Sequence, residues 1–131
     1  MVGIVLVSHS PLIAEGTLDL VRQMVGDKVS IEIAAGTSDG RLGTSAEEIE
    51  KKIRKVYSGD GVLVMVDLGS AVLSAELAIE NLGEPLRSAA VIADAPFVEG
   101  TIAAAIEASF GKSLAEVKAA AEGVRSYSKL G

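Results

Sequence analysis

The sequence predicts an α/β fold in which a doubly wound, mainly parallel sheet of four strands carries helices on both faces. Short apolar runs alternate along the 131 residues with stretches in which apolar residues recur every three or four positions. Three of the apolar runs are nearly continuous, which is typical of strands buried on both faces of a parallel sheet. Repeated alternation of strand and helix indicates right-handed crossovers. Because no linker or internal repeat interrupts this pattern, we expect residues 1–131 to form one domain.

The four predicted strands differ in how they distribute polar residues. Val2–Val7, Gly61–Val66 and Ala89–Ala93 are apolar almost throughout. Val29–Ala34 instead alternates apolar and polar positions, which is typical of an edge strand with one wetter face. Since the second strand belongs at an edge and the first and third belong inside, the strand order 2-1-3-4 satisfies both requirements.

Helical spacing connects the strands. The predicted helices cover Pro11–Val25, Ser45–Tyr57, Ser70–Asn81, Glu99–Phe110 and Ser113–Glu122. Ser45 and Glu48 match a capping box at the start of the second helix, and Gly111 separates the last two helices. The final residues, Val124–Gly131, fit either a short extra strand or a frayed tail.

The composition disfavours several classes of function. A formal net charge of -6 opposes binding to a phosphate backbone, and two Tyr and two Phe without any Trp provide few surfaces for base stacking. The chain has no cysteine and one histidine, so disulfide frameworks, thiolate sites and metal sites built on histidines are excluded. We therefore expect no metal, no other cofactor and no nucleic-acid partner.

Membrane and secretion patterns are also lacking. The apolar run Val2–Val7 is shorter than a secretory hydrophobic region and has no basic segment before it. No stretch approaches the roughly 20 apolar residues that a membrane helix needs. Together with the lack of cysteine, these patterns predict a cytoplasmic protein with no membrane partner.

The lone histidine and one aspartate are predicted to share a crevice. In an open parallel sheet, ligands bind beyond the carboxyl ends of the strands, where the winding reverses. With the order 2-1-3-4 this point lies between strands one and three. His9 follows the first strand and Asp67 follows the third. A carboxylate that accepts a hydrogen bond from one imidazole nitrogen leaves the other nitrogen free as a nucleophile toward phosphorus.

Helix starts surround this crevice and favour an anion. Ser10 can cap the helix that Pro11 begins, and Gly69 and Ser70 open the helix after the third strand. Free N–H groups and the positive dipole ends suit phosphoryl oxygens.

The loop Gly36–Ser45 is rich in glycine and hydroxyl groups and includes Thr37, Ser38 and Arg41. It is either a plain connection or a rim loop that bonds the phosphoryl group, with Arg41 as its cation.

Other interpretations remain open at this point. His9 could be an ordinary packed side chain, and Asp67 could simply cap the next helix. A Ser-His-Asp hydrolase would use Ser8, Ser10 or Ser70 as its nucleophile, but the chain has no G-x-S-x-G elbow. Nucleotide binding has little support because neither a Walker-type loop nor G-x-G-x-x-G follows the first strand.

Three segments together resemble a known family. Residues Gly3–Ser10 with Ala14–Gly16, the loop "GTSDGRLGTS" and the stretch "VDLGSA" are similar to the phosphotransferase subunit of bacterial dihydroxyacetone kinases. That subunit belongs to the mannose-type EIIA family of the phosphoenolpyruvate:sugar phosphotransferase system. Sugar-transporting members usually have glycine after the histidine, so Ser10 favours the dihydroxyacetone branch.

The resemblance implies a mechanism. His9 would accept a phosphoryl group from HPr, and Asp67 would orient the ring. The group would pass to ADP held on the nucleotide-binding subunit of the kinase. Family members are typically homodimers, and sugar-transporting members exchange a carboxy-terminal strand, for which Arg125–Lys129 is short and polar.

Around His9 we expect a flat docking face that includes Leu12 and Leu68. We expect Ser10, Gly69, Ser70, Thr37 and Ser38 to bind the phosphoryl group. The alternatives are an EIIA domain of a mannose-type sugar transporter and a non-catalytic flavodoxin-like binding module.

Overall fold

Four parallel strands form one sheet in the order β2-β1-β3-β4. A computed structural model of the chain describes residues 1–37, 39, 41 and 43–131. The strands are β1 (Gly3–Ser8), β2 (Ile31–Ala35), β3 (Val62–Val66) and β4 (Ala90–Ile92). The predicted fold class and strand order are confirmed, and each strand lies within two residues of its predicted range.

Helices alternate with these strands. They are α1 (Pro11–Val25), α2 (Ala46–Val56), α3 (Gly69–Asn81), α4 (Leu86–Ala89), α5 (Phe97–Ser109) and α6 (Leu114–Gly123). The one-turn helix α4 has no counterpart in the prediction because four residues are too few to display a helical period. Among the described residues no helix combines the length and apolar character that crossing a membrane would take.

The short extra strand, one of the two alternatives for Val124–Gly131, does not form. After α6 the chain makes a 3₁₀ turn at Val124–Ser126, and none of the described residues beyond it forms a strand. The turn is closed by bonds from Tyr127 N–H to Val124 O and from Ser126 Oγ to Gly123 O. This segment is polar and lacks alternating apolar residues, so pairing it with the sheet would bury little apolar surface.

Two apolar layers hold the sheet. Successive strand residues point to opposite faces, so each interior strand contributes to both layers. On one face α1, α5 and α6 cover Ile4, Leu6, Leu63 and Met65. On the other face α2 and α3 cover Val5, Val7, Val62, Val64 and Val66. All residues of β1 and β3 are buried, which is why their sequences are apolar apart from Ser8 at the end of β1.

The edge position of β2 explains its alternating pattern. Glu32 faces α2, where Lys52 Nζ and Lys55 Nζ each lie 3.3 Å from its Oε1. A charged side chain on an edge strand also discourages pairing with a further strand.

The capping box predicted at the start of the second helix forms only in part. Ser45 Oγ accepts a bond from Glu48 N–H at 3.3 Å, but Glu48 Oε2 is buried without a hydrogen-bond partner in the described part of the chain. The capping box predicted at this pair is therefore only half formed. A complete one forms at Ser113 and Glu116, at the start of α6.

Candidate functional site

The sheet register brings the lone histidine and the predicted aspartate together. In the β1–β3 pairing Val7 lies opposite Val66, so the next residues of the two strands leave the sheet side by side. His9 Nδ1 lies 2.9 Å from Asp67 Oδ1. An ionised carboxylate can only accept, so the proton of the neutral imidazole lies on Nδ1. The lone pair of Nε2 is therefore available for chemistry.

The Asp67 carboxylate is held by four donors. Oδ1 accepts from His9 Nδ1 and from Leu68 N–H at 2.7 Å. Oδ2 accepts from His9 N–H and from Ser8 Oγ, both at 2.9 Å. A carboxylate has about four acceptor positions, so this one is saturated and its plane is fixed.

These donors decide the ionisation of Asp67. Partial burial acts to raise the pKa of its carboxyl group. The bonds from His9 N–H, the His9 ring, Ser8 and Leu68 N–H together outweigh burial, and the pKa lies below its ordinary value of 3.8. Asp67 is therefore an anion at neutral pH, and its negative charge stabilises any cationic form of the ring.

Asp67 does not fill the capping role that was the simpler interpretation. The residue at the N-cap of α3 is Leu68, and it provides no side-chain bond to the helix. Asp67 lies one residue earlier and directs Oδ1 both to Leu68 N–H and to the imidazole.

The free nitrogen of the ring faces the first turn of α3. Ser70 Oγ lies 2.5 Å from His9 Nε2, and since the proton is on Nδ1, the hydroxyl is the donor. The His9 side chain is 23% exposed and the Asp67 side chain 11%, so the ring is the accessible member of the pair. Gly69 and Ser70 begin α3 without a side-chain cap, which leaves the helix start open to an anion.

A second helix starts directly after His9 in the chain. Ser10 is the N-cap of α1, its Oγ accepting from Ile13 N–H at 3.4 Å, and Pro11 occupies the first helical turn. The sequence therefore places a serine at the beginning of each of two helices that flank His9.

The loop after β2 reaches the site through its backbone. Gly43 N–H donates to His9 O at 3.0 Å, and Gly36 N–H donates to Ser8 O at 3.2 Å. Thr37 Oγ1 bonds within the loop, to Asp39 and to the backbone of Arg41, so the structure does not bring this side chain to His9. Arg41 pairs with Asp39 at 2.7 Å. Ser38 lies outside the described residues.

Sequence reasoning missed how Ser8 and Thr44 contribute. Ser8 was considered only as a nucleophile, whereas its Oγ donates to Asp67. A polar residue at the end of a fully buried strand was the signal, since a buried hydroxyl needs a partner. Thr44 Oγ1 lies 2.6 Å from Ser74 Oγ and joins the β2–α2 loop to α3. No local pattern announces that contact.

Apolar side chains are exposed around the ring. Leu12 in the first turn of α1 is 78% exposed, and Leu68 is 62% exposed. Beside Asp67 a cavity of about 370 Å³ runs along Leu68, Val72 and Ile92. The site thus combines an ionised carboxylate, a nucleophilic nitrogen and two helix starts within an apolar rim.

Comparison with known families identifies the class of protein to which the chain belongs. Residues 3–118 match the family model EIIA-man, described as the PTS system fructose IIA component. The chain belongs to this family, and the resemblance drawn from the three sequence segments is confirmed.

Several relatives share a specific name. The phosphoryl donor subunit DhaM of PEP-dependent dihydroxyacetone kinase 2 from Listeria innocua is 46% identical over 107 residues, covering 82% of this chain and 86% of that protein. The corresponding DhaM subunit of Escherichia coli K12 is 43% identical over 120 residues, covering 89% of this chain but 25% of that protein. The chain thus spans most of the first relative and a quarter of the second.

A less similar relative has the same subunit name, and a solved structure has the same fold. The phosphotransferase subunit DhaM of a PTS-dependent dihydroxyacetone kinase from Lactococcus lactis is 33% identical over 116 residues, covering 88% of this chain and 89% of that protein. A crystal structure of the unknown function protein EF1359 superposes with a TM-score of 0.82 at 40% identity, covering 92% of each chain.

Proposed function

We propose that this chain is the phosphoryl donor subunit of a phosphoenolpyruvate-dependent dihydroxyacetone kinase and that it carries the phosphoryl group on His9. The observation that carries the proposal is the 2.9 Å contact between His9 Nδ1 and Asp67 Oδ1, which leaves Nε2 as the free nucleophile. Relatives that match over most of this chain bear the name of that subunit, which supports the choice of pathway.

Phosphorylation of His9 needs no proton transfer. The Nε2 lone pair attacks phosphorus of the phosphohistidine on HPr, a new N–P bond forms, and the donor's P–N bond breaks with its electron pair returning to the donor ring. His9 then carries its proton on Nδ1 and bears positive charge next to the Asp67 carboxylate. That carboxylate stabilises the charged ring in the way that carboxylates stabilise imidazolium in other enzymes.

The second transfer regenerates the free ring. A β-phosphate oxygen of ADP on the nucleotide-binding subunit attacks the phosphorus, and the N–P bond of His9 breaks. The electron pair returns to Nε2 and the ring becomes neutral again. ATP forms on the partner and phosphorylates dihydroxyacetone there.

We propose that the two helix starts hold the phosphoryl oxygens. Ser70 Oγ donates to Nε2 in the free protein and is in position to turn its O–H toward a phosphoryl oxygen. The N–H groups of Gly69 and Ser70 offer further donors, and the hydroxyl of Ser10 offers one from the start of α1. Thr37 and Ser38 stay predictions, because the β2–α2 loop contacts His9 through Gly43 N–H.

The proposed partners are HPr as donor, the ADP-bearing kinase subunit as acceptor, and a second copy of this chain in a homodimer. Leu12 and Leu68 form the proposed docking face, since direct transfer between proteins requires each partner to exclude water from the reacting atoms. We propose that residues 1–131 act as one domain in the cytoplasm, where phosphoenolpyruvate is made.

The test is phosphorylation from radiolabelled phosphoenolpyruvate with enzyme I and HPr. An acid-labile, alkali-stable label is expected on the wild type and none on His9→Asn, because the chain has no other histidine. Thr101→Val, which removes a buried hydroxyl bonded to Phe97 O within α5, is the matched control and is expected to label normally. A wild type that takes no label would contradict the proposal.

Addition of the two kinase subunits and dihydroxyacetone separates the remaining alternatives. Loss of label with formation of dihydroxyacetone phosphate supports the kinase role. A label that leaves only in the presence of a sugar transporter and its sugar would assign the chain to the transporter branch. A chain that is never labelled would match the binding module.

One contact favours a second candidate, a Ser-His-Asp hydrolase. Ser70 Oγ, His9 and Asp67 are connected at 2.5 and 2.9 Å in the order of a catalytic triad. Covalent labelling of Ser70 by a fluorophosphonate, lost in His9→Asn, would support this candidate. We rank it second because Ser70 lies in the first turn of α3 without a strained nucleophile elbow.

A further inference from the structure

Ser8 is a buried polar residue at the end of an apolar strand. It is the last residue of β1 and is 0% exposed. A buried hydroxyl without hydrogen bonds destabilises a fold, so its partners reveal its role. Ser8 Oγ lies 2.9 Å from Asp67 Oδ2 and 3.0 Å from Ser10 O, and it accepts from Ser10 N–H at 3.1 Å.

The single proton of Ser8 has two acceptors within reach. Ser10 O already accepts from Ala14 N–H at 3.3 Å, as part of the first turn of α1. Asp67 is ionised, and hydrogen bonds to a charged acceptor are stronger than those to a neutral carbonyl. The Ser8 hydroxyl therefore donates its hydrogen bond to Asp67. A continuous chain of hydrogen bonds runs from Ser10 N–H through Ser8 Oγ to Asp67 Oδ2.

The other donors to Asp67 cannot replace this bond. Leu68 N–H acts on Oδ1, the oxygen that also contacts the ring. Without Ser8, Oδ2 would keep only His9 N–H, and three bonds instead of four would hold the carboxylate plane. Ser8 also receives Gly36 N–H on its carbonyl, so the same residue joins the β2–α2 loop, the start of α1 and Asp67.

We propose that Ser8 is a positioning residue for phosphoryl transfer, acting through Asp67 on the tautomer and orientation of His9. This inference rests on the proposed function of His9. Ser8 touches neither the ring nitrogens nor the incoming phosphoryl group. Its hydroxyl holds the carboxylate plane so that Oδ1 accepts the hydrogen bond from Nδ1–H and Nε2 stays unprotonated.

The test compares Ser8→Ala with Ser8→Thr, which keeps the hydroxyl. In single-turnover transfer from phosphorylated HPr, Ser8→Ala is expected to lower the maximal rate by about 10-fold or more, as misplaced catalytic groups generally do. The concentration of HPr at half-maximal rate stays within a factor of about 2, since no docking contact is lost. Ser8→Thr is expected to recover the rate, and Thr101→Val is the control for loss of a buried hydroxyl elsewhere.

Nitrogen NMR of the imidazole provides a readout that a purely structural role would not change. The wild type is expected to show the Nδ1–H tautomer, and Ser8→Ala a measurable share of the Nε2–H tautomer. If Ser8→Ala does not fold, Ser8→Cys retains a similar volume with a weaker donor and takes its place in every comparison.

The possible outcomes separate the two proposals. A folded Ser8→Ala protein with the wild-type rate and tautomer would overturn the role of Ser8. So would a Ser8→Thr protein that is folded but as slow as Ser8→Ala, because the hydroxyl would then not matter. If the wild type takes no label from HPr, the proposed function fails, and the tautomer comparison alone decides whether Ser8 positions His9.

Discussion

Two cavities of similar size and different chemistry lie at opposite ends of the parallel strands. One is at the carboxyl edge, where the carboxyl ends of the strands meet, and the other is at the amino edge, where their amino ends meet. The cavity at the carboxyl edge has a volume of about 370 Å³ and includes Asp67 and Gly69. The one at the amino edge has a volume of about 330 Å³ and is lined by Met1, Asp60 and Ser113. At the amino edge the amino terminus and Asp60 form an exposed ion pair, and Lys112 adds a further cation to the lining. Cavity volume therefore does not distinguish the candidate site from an ordinary surface recess.

The first turn of one helix, α3, does distinguish them. At the amino edge a capping box closes α6, because Ser113 Oγ accepts from Glu116 N–H and Ser113 N–H donates to Glu116 Oε1. At the carboxyl edge α3 begins without a side-chain cap, and the hydroxyl of its first turn points to His9 Nε2. α3 is thus the exception at the carboxyl edge, where Ser10 caps α1 and Ser45 caps α2, and its uncapped first turn lies beside His9 Nε2.

The largest effect in this comparison is expected from Asp67→Ala. Loss of the carboxylate frees the ring to adopt either tautomer and removes the charge opposite the phosphorylated ring. Transfer from HPr to His9 is expected to slow by about 100-fold, the cost that a misplacement of reacting groups by about 1 Å can have. Rapid-quench measurement of the phosphorylated fraction checks the rate, and circular dichroism checks that the fold remains. An unfolded variant would contradict the assignment of Asp67 to chemistry.

Ser70→Ala is expected to have a smaller effect at the same edge. The variant loses one hydrogen bond to a charged phosphoryl group, which corresponds to a rate decrease of about 10-fold. The free energy of unfolding changes little, because Ser70 caps no helix and lies on the surface. The decrease is to be measured as the transfer rate from HPr at saturation, and an unchanged rate would remove Ser70 from the phosphoryl site.

Ser113→Ala is the matched change at the amino edge and is expected to lower stability without changing the transfer rate. Loss of the cap of α6 is expected to lower the free energy of unfolding by about 1 kcal/mol. The phosphoryl-transfer rate stays at the wild-type value, because the amino edge takes no part in the proposed reaction. Urea unfolding and the transfer assay measure the two quantities in parallel. A slower transfer rate in this variant would weaken the division of roles between the edges.

The smallest effect concerns stability in acid. Since the pKa of Asp67 in the folded chain lies below its ordinary value of 3.8, ionised Asp67 stabilises the fold at pH values above that value. This contribution is lost as the pH falls through the folded pKa. The difference in unfolding free energy between the wild type and Asp67→Asn should therefore be largest near about pH 6 and shrink toward about pH 3. A difference that stays constant across this range would show that the ionised form is not what matters.

Much of the site was predictable because its placement follows from the strands. The apolar pattern predicted β1 and β3 inside the sheet and β2 at an edge, and the order 2-1-3-4 satisfies both requirements. Residues that follow neighbouring parallel strands must emerge at one edge, so His9 and Asp67 were expected to meet. The hydroxyl contacts were not predictable in the same way. Thr44 and Ser74 are brought together by the packing of α3 against the β2–α2 loop, which no local pattern encodes.

The sequence by itself determined the fold class, the strand order, four of the helix starts to within a residue, and the pair at the switch point. These features depend on local periodicity and on chain-direction rules that admit few solutions. Only the tertiary structure decided that Ser8 bonds to Asp67, that Ser70 faces Nε2, and that the last residues make a turn instead of a strand. Such contacts depend on strand register and side-chain rotamers, which are set when distant segments pack together.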